Sequence, residues 1–208
     1  MIRREDDGAL TILTLDRPDK ANSLTRAMME QLIAALTDAG RTHAAVILTG
    51  AGKVFSAGAD LDEARAGLAT DSIWEELSGT MAALPCLTIA ALNGTLAGGA
   101  FGMALACDIR LAVPTAKFFY PVMKLGFLPQ PSDPARMAAL IGPGRTRMIL
   151  MGGARIEASE ALQWGLVDRL VAPEALLSEA HALTTDACAA PERHAGRIKA
   201  LIPRVWSH

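Results

Sequence analysis

One uncharged stretch of thirty-one residues, 77–107, limits what this chain can fold into more than any other feature. Such a stretch must be buried in a protein core or in a membrane, because exposing so much apolar surface to water is unfavourable. A membrane span needs about 20 consecutive apolar residues. Proline, asparagine and glycine divide the stretch into shorter pieces, at Pro85, Asn93, Gly94, Gly98, Gly99 and Gly102. We therefore expect a helix end, a buried strand, a glycine turn and a buried helix in a protein core.

The rest of the chain alternates between strand-like and helix-like patterns. Short apolar runs bounded by turn residues predict buried strands at 10–15, 46–48, 87–92, 108–113 and 166–171. Apolar residues spaced by three or four over 28–36 predict a helix, capped by Ser23 or Thr25. Further helices are expected at 73–84, 135–141, 144–151, 158–164 and beyond 173. This alternation favours βαβ units with buried parallel strands, so the predicted fold class is α/β with a helical C-terminal part.

Charge and cysteine content narrow the classes of function. Lysine and arginine total 20 against 22 aspartates and glutamates, without a basic block, which argues against binding to nucleic acid or to a membrane surface. The first residues lack the apolar core of a signal peptide. Cys86, Cys107 and Cys188 have apolar neighbours, so we expect buried thiols and a cytoplasmic location. The four histidines lack metal-ligand spacing, and no metal is expected.

Two glycine-containing loops follow predicted strands. Gly98 and Gly99 precede a buried helix, where a missing Cβ lets another group approach the unpaired N–H groups of the first turn. The alternative is that these glycines only allow tight packing of helix on strand. The loop 56–59 is also built of small residues, and Asp60 is placed to cap the segment after it. Two loops that each expose one N–H suffice for an oxyanion hole, which holds negative charge on a carbonyl oxygen.

Five segments in order carry a specific resemblance. They are RPDKANSL (17–24), FSAGADL (55–61), NGTLAGGAFGMALACDIRLA (93–112), AKFFYPVMKLGFLPQ (116–130) and MGGARIEASEALQWGLVDRLV (151–171). Together they resemble the crotonase superfamily, the enoyl-CoA hydratase/isomerase family, over roughly residues 8–175. The resemblance implies a crotonase-like ββα spiral core over 1–172 and a C-terminal helical segment over 173–208, shorter than in most of the family.

The family binds acyl-CoA thioesters and stabilises an enolate-like thioester oxygen with two backbone N–H groups. Carried over by motif, these belong to Ala59 and Gly99. Coenzyme A is then part of the substrate, and no bound cofactor is expected. The resemblance also implies a homotrimer or a hexamer, which could supply the missing C-terminal cover of the site from a neighbouring subunit.

The resemblance also implies contacts for the two ends of the substrate. Residues near the coenzyme A portion would be Arg17, Lys20, Ala21, Ala57, Asp60 and Leu61. Residues near the acyl group would be Tyr120, Val122 and Gly126.

This sequence departs from the family at its acids. Typical hydratases of the family carry two glutamates that position water and move a proton. Gly102 and Val122 stand at those positions here. Some isomerases and the related chlorobenzoyl-CoA dehalogenases place a carboxylate four residues after a Leu-Gly pair, where this chain has Gln130. Glutamine forms hydrogen bonds but does not titrate, so Gln130 is predicted to orient water or a substrate carbonyl.

Other polar residues near the motifs have two interpretations each. Asp133 is a candidate catalytic acid, or it caps the helix that follows. Tyr120, the only tyrosine, is a hydrogen-bond donor to the substrate or a ring in the pocket wall. Asp62 and Glu63 follow the 55–61 motif, and a solvated helix start is their default interpretation.

Two functions remain open at this stage. The first is an enzyme that acts on an acyl-CoA thioester through an enolate-type intermediate, by isomerisation, decarboxylation, hydrolysis or atypical hydration. The second is a catalytically inactive subunit that binds CoA thioesters or serves in assembly. The glycine motifs favour the enzyme, whereas the missing glutamates favour the inactive subunit.

Overall fold

The computed structural model describes residues 1–202 of the chain. The end of the predicted C-terminal segment, 203–208, lies outside the described residues. The strands are β1 (Ile2–Asp7), β2 (Leu10–Leu15), β3 (Ala45–Gly50), β4 (Val54–Ser56), β5 (Leu87–Leu92), β6 (Thr95–Ala97), β7 (Ile109–Ala112), β8 (Lys117–Phe119), β9 (Ile156–Glu157) and β10 (Arg169–Leu170). The helices are α1 (Arg26–Thr42), α2 (Leu61–Arg65), α3 (Ile73–Ala83), α4 (Phe101–Ala106), α5 (Val122–Leu125), α6 (Asp133–Leu150), α7 (Ala158–Trp164), α8 (Leu176–Ala189) and α9 (His194–Leu201).

The strands form two sheets. The larger sheet has the order β1-β2-β3-β5-β7-β10, in which β1 and β2 are antiparallel and the remaining neighbours are parallel. The smaller sheet has the order β4-β6-β8-β9, in which β4, β6 and β8 are parallel and β9 is antiparallel to β8. Parallel strands linked through helices confirm the α/β fold class.

The long elements lie close to their predicted positions. Thr25, not Ser23, caps α1, since its hydroxyl accepts a hydrogen bond from the N–H of Met28 at 3.2 Å. The two helices expected at 135–141 and 144–151 are the two halves of α6, which are separated by the non-helical backbone of Gly142, where φ is +79°. The charged β1 (IRREDD) and the three-residue strands of the smaller sheet were not predicted, because neither has the apolar pattern of a buried strand.

The uncharged stretch 77–107 lies inside the protein core, as predicted. It forms the end of α3, then β5, β6, a 3₁₀ turn (Gly98–Ala100) and α4. Every residue of α4 is buried. Within residues 1–202, no helix is long and apolar enough to cross a membrane. The glycine turn follows β6 of the smaller sheet and leads directly into the buried helix α4.

The C-terminal helices pack on the larger sheet. Helix α8 contacts β3, β5 and β7 and buries Leu176, Ala180 and Thr184. Lys199 of α9 donates to Asp108 Oδ2 at 2.9 Å, and the same oxygen accepts from the N–H of Thr88 at 2.9 Å. The boundary at residue 172 stays a prediction, and its C-terminal side is attached to the core through these contacts.

Candidate functional site

Three parallel strands of the smaller sheet end at one edge, and each leads into a segment that the motifs single out. Strand β4 leads into the loop 57–60, β6 leads into Gly98 and Gly99, and β8 leads into Tyr120. The carboxyl ends of parallel strands are the usual position of ligand sites in α/β proteins. The fold thus brings three separate sequence motifs to one place.

The two glycine loops touch through their backbones. Gly58 has a φ of +91°, and a Cβ on it would lie 3.0 Å from the carbonyl oxygen of Ala97 and 3.4 Å from Cα of Gly98. Gly98 itself has a φ of +58°. A side chain is disfavoured at Gly58 by both the conformation and the spacing, and at Gly98 by the conformation, which explains why both positions are glycine.

The N–H of Ala59 is directed away from its neighbouring strand segment. Leu24 donates its N–H to the carbonyl oxygen of Gly58 at 2.7 Å and accepts from the N–H of Asp60 at 2.9 Å. In such a parallel bridge the residue between the two bonded residues, here Ala59, turns its own N–H to the opposite side. Ala59 is half-buried and lines the cavity described below.

The N–H of Gly99 lies in the first turn of a helical segment. The 3₁₀ turn begins at Gly98 and runs directly into α4, and the first N–H groups of such a segment have no partner within it. Trp74 packs over this position, since a Cβ on Gly99 would lie 3.0 to 3.1 Å from its indole ring. The ring is held by a hydrogen bond from Nε1 to the carbonyl oxygen of Leu68 at 2.8 Å.

Both N–H groups belong to residues that line one largely apolar cavity of about 240 Å³. Its walls include predicted site residues, namely Ala57, Ala59, Leu61, Gly99, Tyr120, Val122 and Gln130, together with Gly98. They also include residues that were not predicted, namely Ala64, Ala69, Trp74, Pro121, Leu125, Phe127 and Leu128. The sequence offered little signal for the second group, because an apolar wall residue looks like a core residue until its exposure is known. The lining of this cavity is mostly apolar, as is typical of sites that bind small molecules.

The remaining residues predicted to contact coenzyme A do not line this cavity. Arg17 donates to Asp60 Oδ2 at 2.7 Å, and its guanidinium holds the pKa of that carboxyl below its usual value. Asp60 caps α2, as predicted, through its Oδ1 and the N–H groups of Asp62 and Glu63. Lys20 is exposed, and the carbonyl oxygen of Ala21 accepts from the N–H of Ala57 at 3.0 Å. Arg17 and Ala21 therefore contact the loop 57–60.

Gly126 lies outside the cavity wall. It ends α5 with a φ of +73°, and its two neighbours in the chain, Leu125 and Phe127, line the cavity. Its contact with the acyl group stays a prediction. Asp62 and Glu63 lie in the first turn of α2, and the exposed side chain of Asp62 agrees with the solvated helix start expected there.

The place of the first missing glutamate is filled from another helix. A Cβ on Gly102 would lie 2.9 Å from Oδ1 and 3.4 Å from Oδ2 of Asp133, and 3.3 Å from Cβ of Ser78. The carboxylate of Asp133 therefore occupies the space that a side chain at position 102 would enter. Val122, at the place of the second glutamate, lines the cavity with an apolar side chain.

Asp133 does not cap α6, so that interpretation was wrong. Ser132 is the N-cap residue, and Asp133, the first residue of the helix, is completely buried. Its Oδ2 accepts a hydrogen bond from the hydroxyl of Tyr120 at 2.9 Å. Burial raises the pKa of Asp133 to about 7; Glu75 also raises it, whereas Tyr120 and Arg136 lower it.

Glu75 fixes the start of α6 from the first turn of α3. Its Oε2 accepts from the N–H of Ser132 at 3.1 Å, and its Oε1 accepts from the Ser132 hydroxyl. Among residues 1–202, no three histidines, cysteines, aspartates or glutamates are grouped as metal ligands.

Comparison with known proteins identifies a family to which this chain is similar. The family model described as Enoyl-CoA hydratase/isomerase matches residues 5–205. The chain is 36% identical over 186 residues to a Mycobacterium bovis protein named "Probable enoyl-CoA hydratase echA8", covering 87% of this chain and 72% of that protein. It is 35% identical over 185 residues to a "Probable enoyl-CoA hydratase" of Rhizobium meliloti, covering 85% and 70%.

Solved structures agree with this result. The crystal structure of an enoyl-CoA hydratase from Bacillus anthracis aligns with a TM-score of 0.88 and 32% identity, covering 96% of this chain and 82% of that chain. A subunit of an enoyl-CoA hydratase from Geobacillus kaustophilus aligns with a TM-score of 0.86 and 34% identity, covering 96% and 79%.

Proposed function

Because the chain belongs to the enoyl-CoA hydratase/isomerase family of the crotonase superfamily, we propose that it is an enzyme that processes acyl-CoA thioesters through an oxyanion hole. The backbone N–H groups of Ala59 and Gly99 bind the thioester oxygen and stabilise the negative charge that it gains in an enolate. The observation that carries this proposal is the meeting of the two N–H-bearing loops, at the ends of β4 and β6, on one apolar cavity.

Residues of the cavity wall and of the surface outside it suit different parts of the substrate. Apolar side chains such as Trp74, Leu125 and Phe127 form walls that suit an acyl chain. Gln130 supplies an amide that can hold water or a second carbonyl group. Outside the cavity, exposed Lys20 is the cation that we assign to the phosphates of coenzyme A, while Arg17 acts indirectly by fixing Asp60.

The residues at the two glutamate positions restrict the reaction. Gly102 and Val122 cannot move a proton, so hydration by two carboxylates in the usual arrangement is not part of the proposal. Isomerisation, decarboxylation, hydrolysis and an atypical hydration remain, since each can pass through an enolate or oxyanion at the same two N–H groups. Besides the two N–H groups, isomerisation requires a residue that moves a proton from one carbon of the substrate to another.

A catalytically inactive CoA-thioester-binding or assembly subunit is the second candidate. It is favoured by the same two positions, where a glycine and a valine replace residues that carry out chemistry in the family's hydratases. The two candidates share the binding site and differ in turnover, so they are separated by product analysis.

Binding is tested first, with acyl-CoA thioesters and with thioether analogues in which the carbonyl oxygen is replaced by two hydrogens. At 100 times the dissociation constant, a thioester should stabilise the folded chain by about 2.7 kcal/mol. The thioether should bind about 10- to 100-fold more weakly, because two hydrogen bonds are lost. Equal affinity for both compounds contradicts the oxyanion hole, and no affinity for either contradicts the CoA assignment.

A matched pair of variants tests the position of the hole. Gly98→Ala and Gly8→Ala carry nearly the same strain, because φ is +58° at Gly98 and +59° at Gly8. Gly8 lies in the β1–β2 turn with open space around it, whereas Gly98 adjoins the N–H of Gly99. Both variants should lose stability, but only Gly98→Ala should lose thioester affinity.

Products of 3-enoyl-, β-keto- and malonyl-type CoA esters, identified by mass spectrometry, then distinguish an enzyme from a binding subunit. The proposal also includes a cytoplasmic location, supported by the three free cysteines, and a homotrimer or hexamer, which sedimentation measurements test directly.

A further inference from the structure

A buried acid and a hydroxyl lie side by side next to the cavity. Tyr120 lines the cavity, and its hydroxyl donates to Asp133 Oδ2 at 2.9 Å and accepts from the N–H of Gln130 at 3.4 Å. The ring is fixed by stacking on Phe101, with ring centroids 5.4 Å apart. Burying a carboxylate completely is costly, and Asp133 is completely buried without being the N-cap residue of α6.

We propose that Tyr120 is the catalytic proton-transfer residue of the cavity and that Asp133 is its positioning residue, which takes up the proton through the Tyr120 hydroxyl. This inference rests on the acyl-CoA function proposed above and names the acid and base that positions 102 and 122 do not provide.

Only one of the two carboxylate oxygens of Asp133, Oδ2, accepts the hydrogen bond from Tyr120. Within the described residues, Asp133 Oδ1 is buried and has no hydrogen-bond partner. That oxygen faces Gly102, where any Cβ would approach it to 2.9 Å. A purely structural aspartate would satisfy both oxygens, since an unsatisfied buried acceptor is destabilising. Glycine at 102 thus makes room for a carboxylate delivered by α6.

The charges around Asp133 allow it to change its protonation state near neutral pH. Glu75 of α3 faces it across Ser132, and Arg136 lies one turn further along α6. The nearest group of α4 is Gly102, which has no charge, and after β8 the facing group is Tyr120. Burial raises the pKa of Asp133 to about 7, so the acid and the carboxylate are both populated at physiological pH.

The step balances without a further reactant. The Cα–H bond of the thioester breaks, its proton moves to Oη of Tyr120, and the tyrosine's own proton moves to Asp133 Oδ2. The electron pair of the Cα–H bond enters the enolate, whose oxygen is held by the N–H groups of Ala59 and Gly99. Reversal returns the proton to the same carbon, or to the conjugated carbon of an enoyl chain, which gives the isomer. Tyr120 stays neutral before and after the transfer.

The test measures deuterium uptake from D₂O into a 3-enoyl-CoA, whose α-hydrogens are activated by both the thioester and the double bond. Mass spectrometry gives the rate of deuterium exchange for the native chain, for Asp133→Asn and for Tyr120→Phe. The Tyr120→Phe variant keeps the aromatic ring that stacks on Phe101. Each variant should lose about 10²- to 10⁴-fold in exchange rate. Their thioester affinities should stay within about threefold, because neither substitution changes the two N–H donors. The exposed Asp186→Asn is the control and should exchange like the native chain.

The pH profile separates proton transfer from a structural role. In the native chain the exchange rate should fall about tenfold per pH unit below about pH 7, where Asp133 is already protonated. Asp133→Asn should lose this dependence, and the double variant should be no slower than either single variant, because the two residues act as one unit. If one variant fails to fold, the other variant and the native profile still decide the question.

Three results would overturn the inference. They are a native chain that binds the thioester without exchanging deuterium, a Tyr120→Phe variant that exchanges at the native rate, and a native pH profile retained in Asp133→Asn. A native chain that binds no acyl-CoA ester would instead contradict the proposed function itself.

Discussion

The buried carboxylate of Asp133 should make the stability of this protein depend on pH in an unusual direction. Most carboxylates in folded proteins are stabilised as anions, so stability is lost as the pH falls. Asp133 behaves in the opposite way, because burial raises its pKa from 3.8 to about 7. Between these values the folded chain holds a proton that the unfolded chain has released. The free energy of unfolding therefore decreases with rising pH across this window.

The size of the effect follows from the shift. One pH unit corresponds to about 1.4 kcal/mol, so the contribution of Asp133 decreases by about 4 kcal/mol between pH 4 and pH 7 and is level above that. Asp133→Asn removes the titrating group and keeps the shape of the side chain. Relative to the native chain, this variant should gain about 4 kcal/mol of stability between pH 4 and pH 8.

Urea unfolding of both proteins at a series of pH values measures this difference, and every other titrating group cancels because both chains contain it. Asp60→Asn is the control, and its stability difference from the native chain should stay level across pH 4 to 8. Arg17 lowers the pKa of Asp60, so the stability that Asp60 contributes is present above about pH 4 and lost below it. The reasoning is refuted if the difference in free energy of unfolding between the native chain and Asp133→Asn changes by less than about 1 kcal/mol across pH 4 to 8.

Three further predictions concern packing and capping; urea unfolding measures the first two and tryptophan fluorescence measures the third. Gly102→Ala should lower stability by about 1–3 kcal/mol, because its Cβ meets Asp133 Oδ1 at 2.9 Å, whereas Gly79→Ala, in open space within α3, should raise stability by up to about 1 kcal/mol. Thr25→Ala should cost about 1 kcal/mol by removing the cap of α1. Gly99→Ala should displace the indole of Trp74 from its 3.0 Å approach and shift the tryptophan fluorescence. Equal effects of Gly102→Ala and Gly79→Ala would contradict the described contact.

The sequence predicted those elements whose pattern is strong over many residues. Helix α1 was recognised from its apolar spacing and its cap, and β5 from its apolar run between turn residues. Strand β1 was missed because its charged sequence has a low strand propensity, which its pairing with β2 overrides. The strands β4, β6 and β8 have three residues each, too few for a periodic pattern, although they position the whole site.

The residues of the candidate site also fall into those that the sequence predicted and those that only the structure revealed. Ala59 and Gly99 were predicted by carrying over the motifs of the family that the sequence resembles, and the positive φ of the adjacent Gly58 and Gly98 explains the glycines in those motifs. The approach of Asp133 to Gly102 links positions 31 residues apart in two different helices, and nothing local in the sequence specifies it. Trp74 was also missed, since a tryptophan at the start of a helix is equally compatible with the core. Contacts between distant segments became visible only in the fold.

The most direct test of the central claim is the infrared spectrum of a bound thioester labelled with ¹³C at its carbonyl group. If the N–H groups of Ala59 and Gly99 both donate to the thioester oxygen, the labelled C=O stretch of the bound ester should lie at a lower frequency than in water, because hydrogen bonding polarises the bond. The shift should decrease in Gly98→Ala and persist in Gly8→Ala. A bound ester whose carbonyl frequency equals that in water would contradict the oxyanion hole.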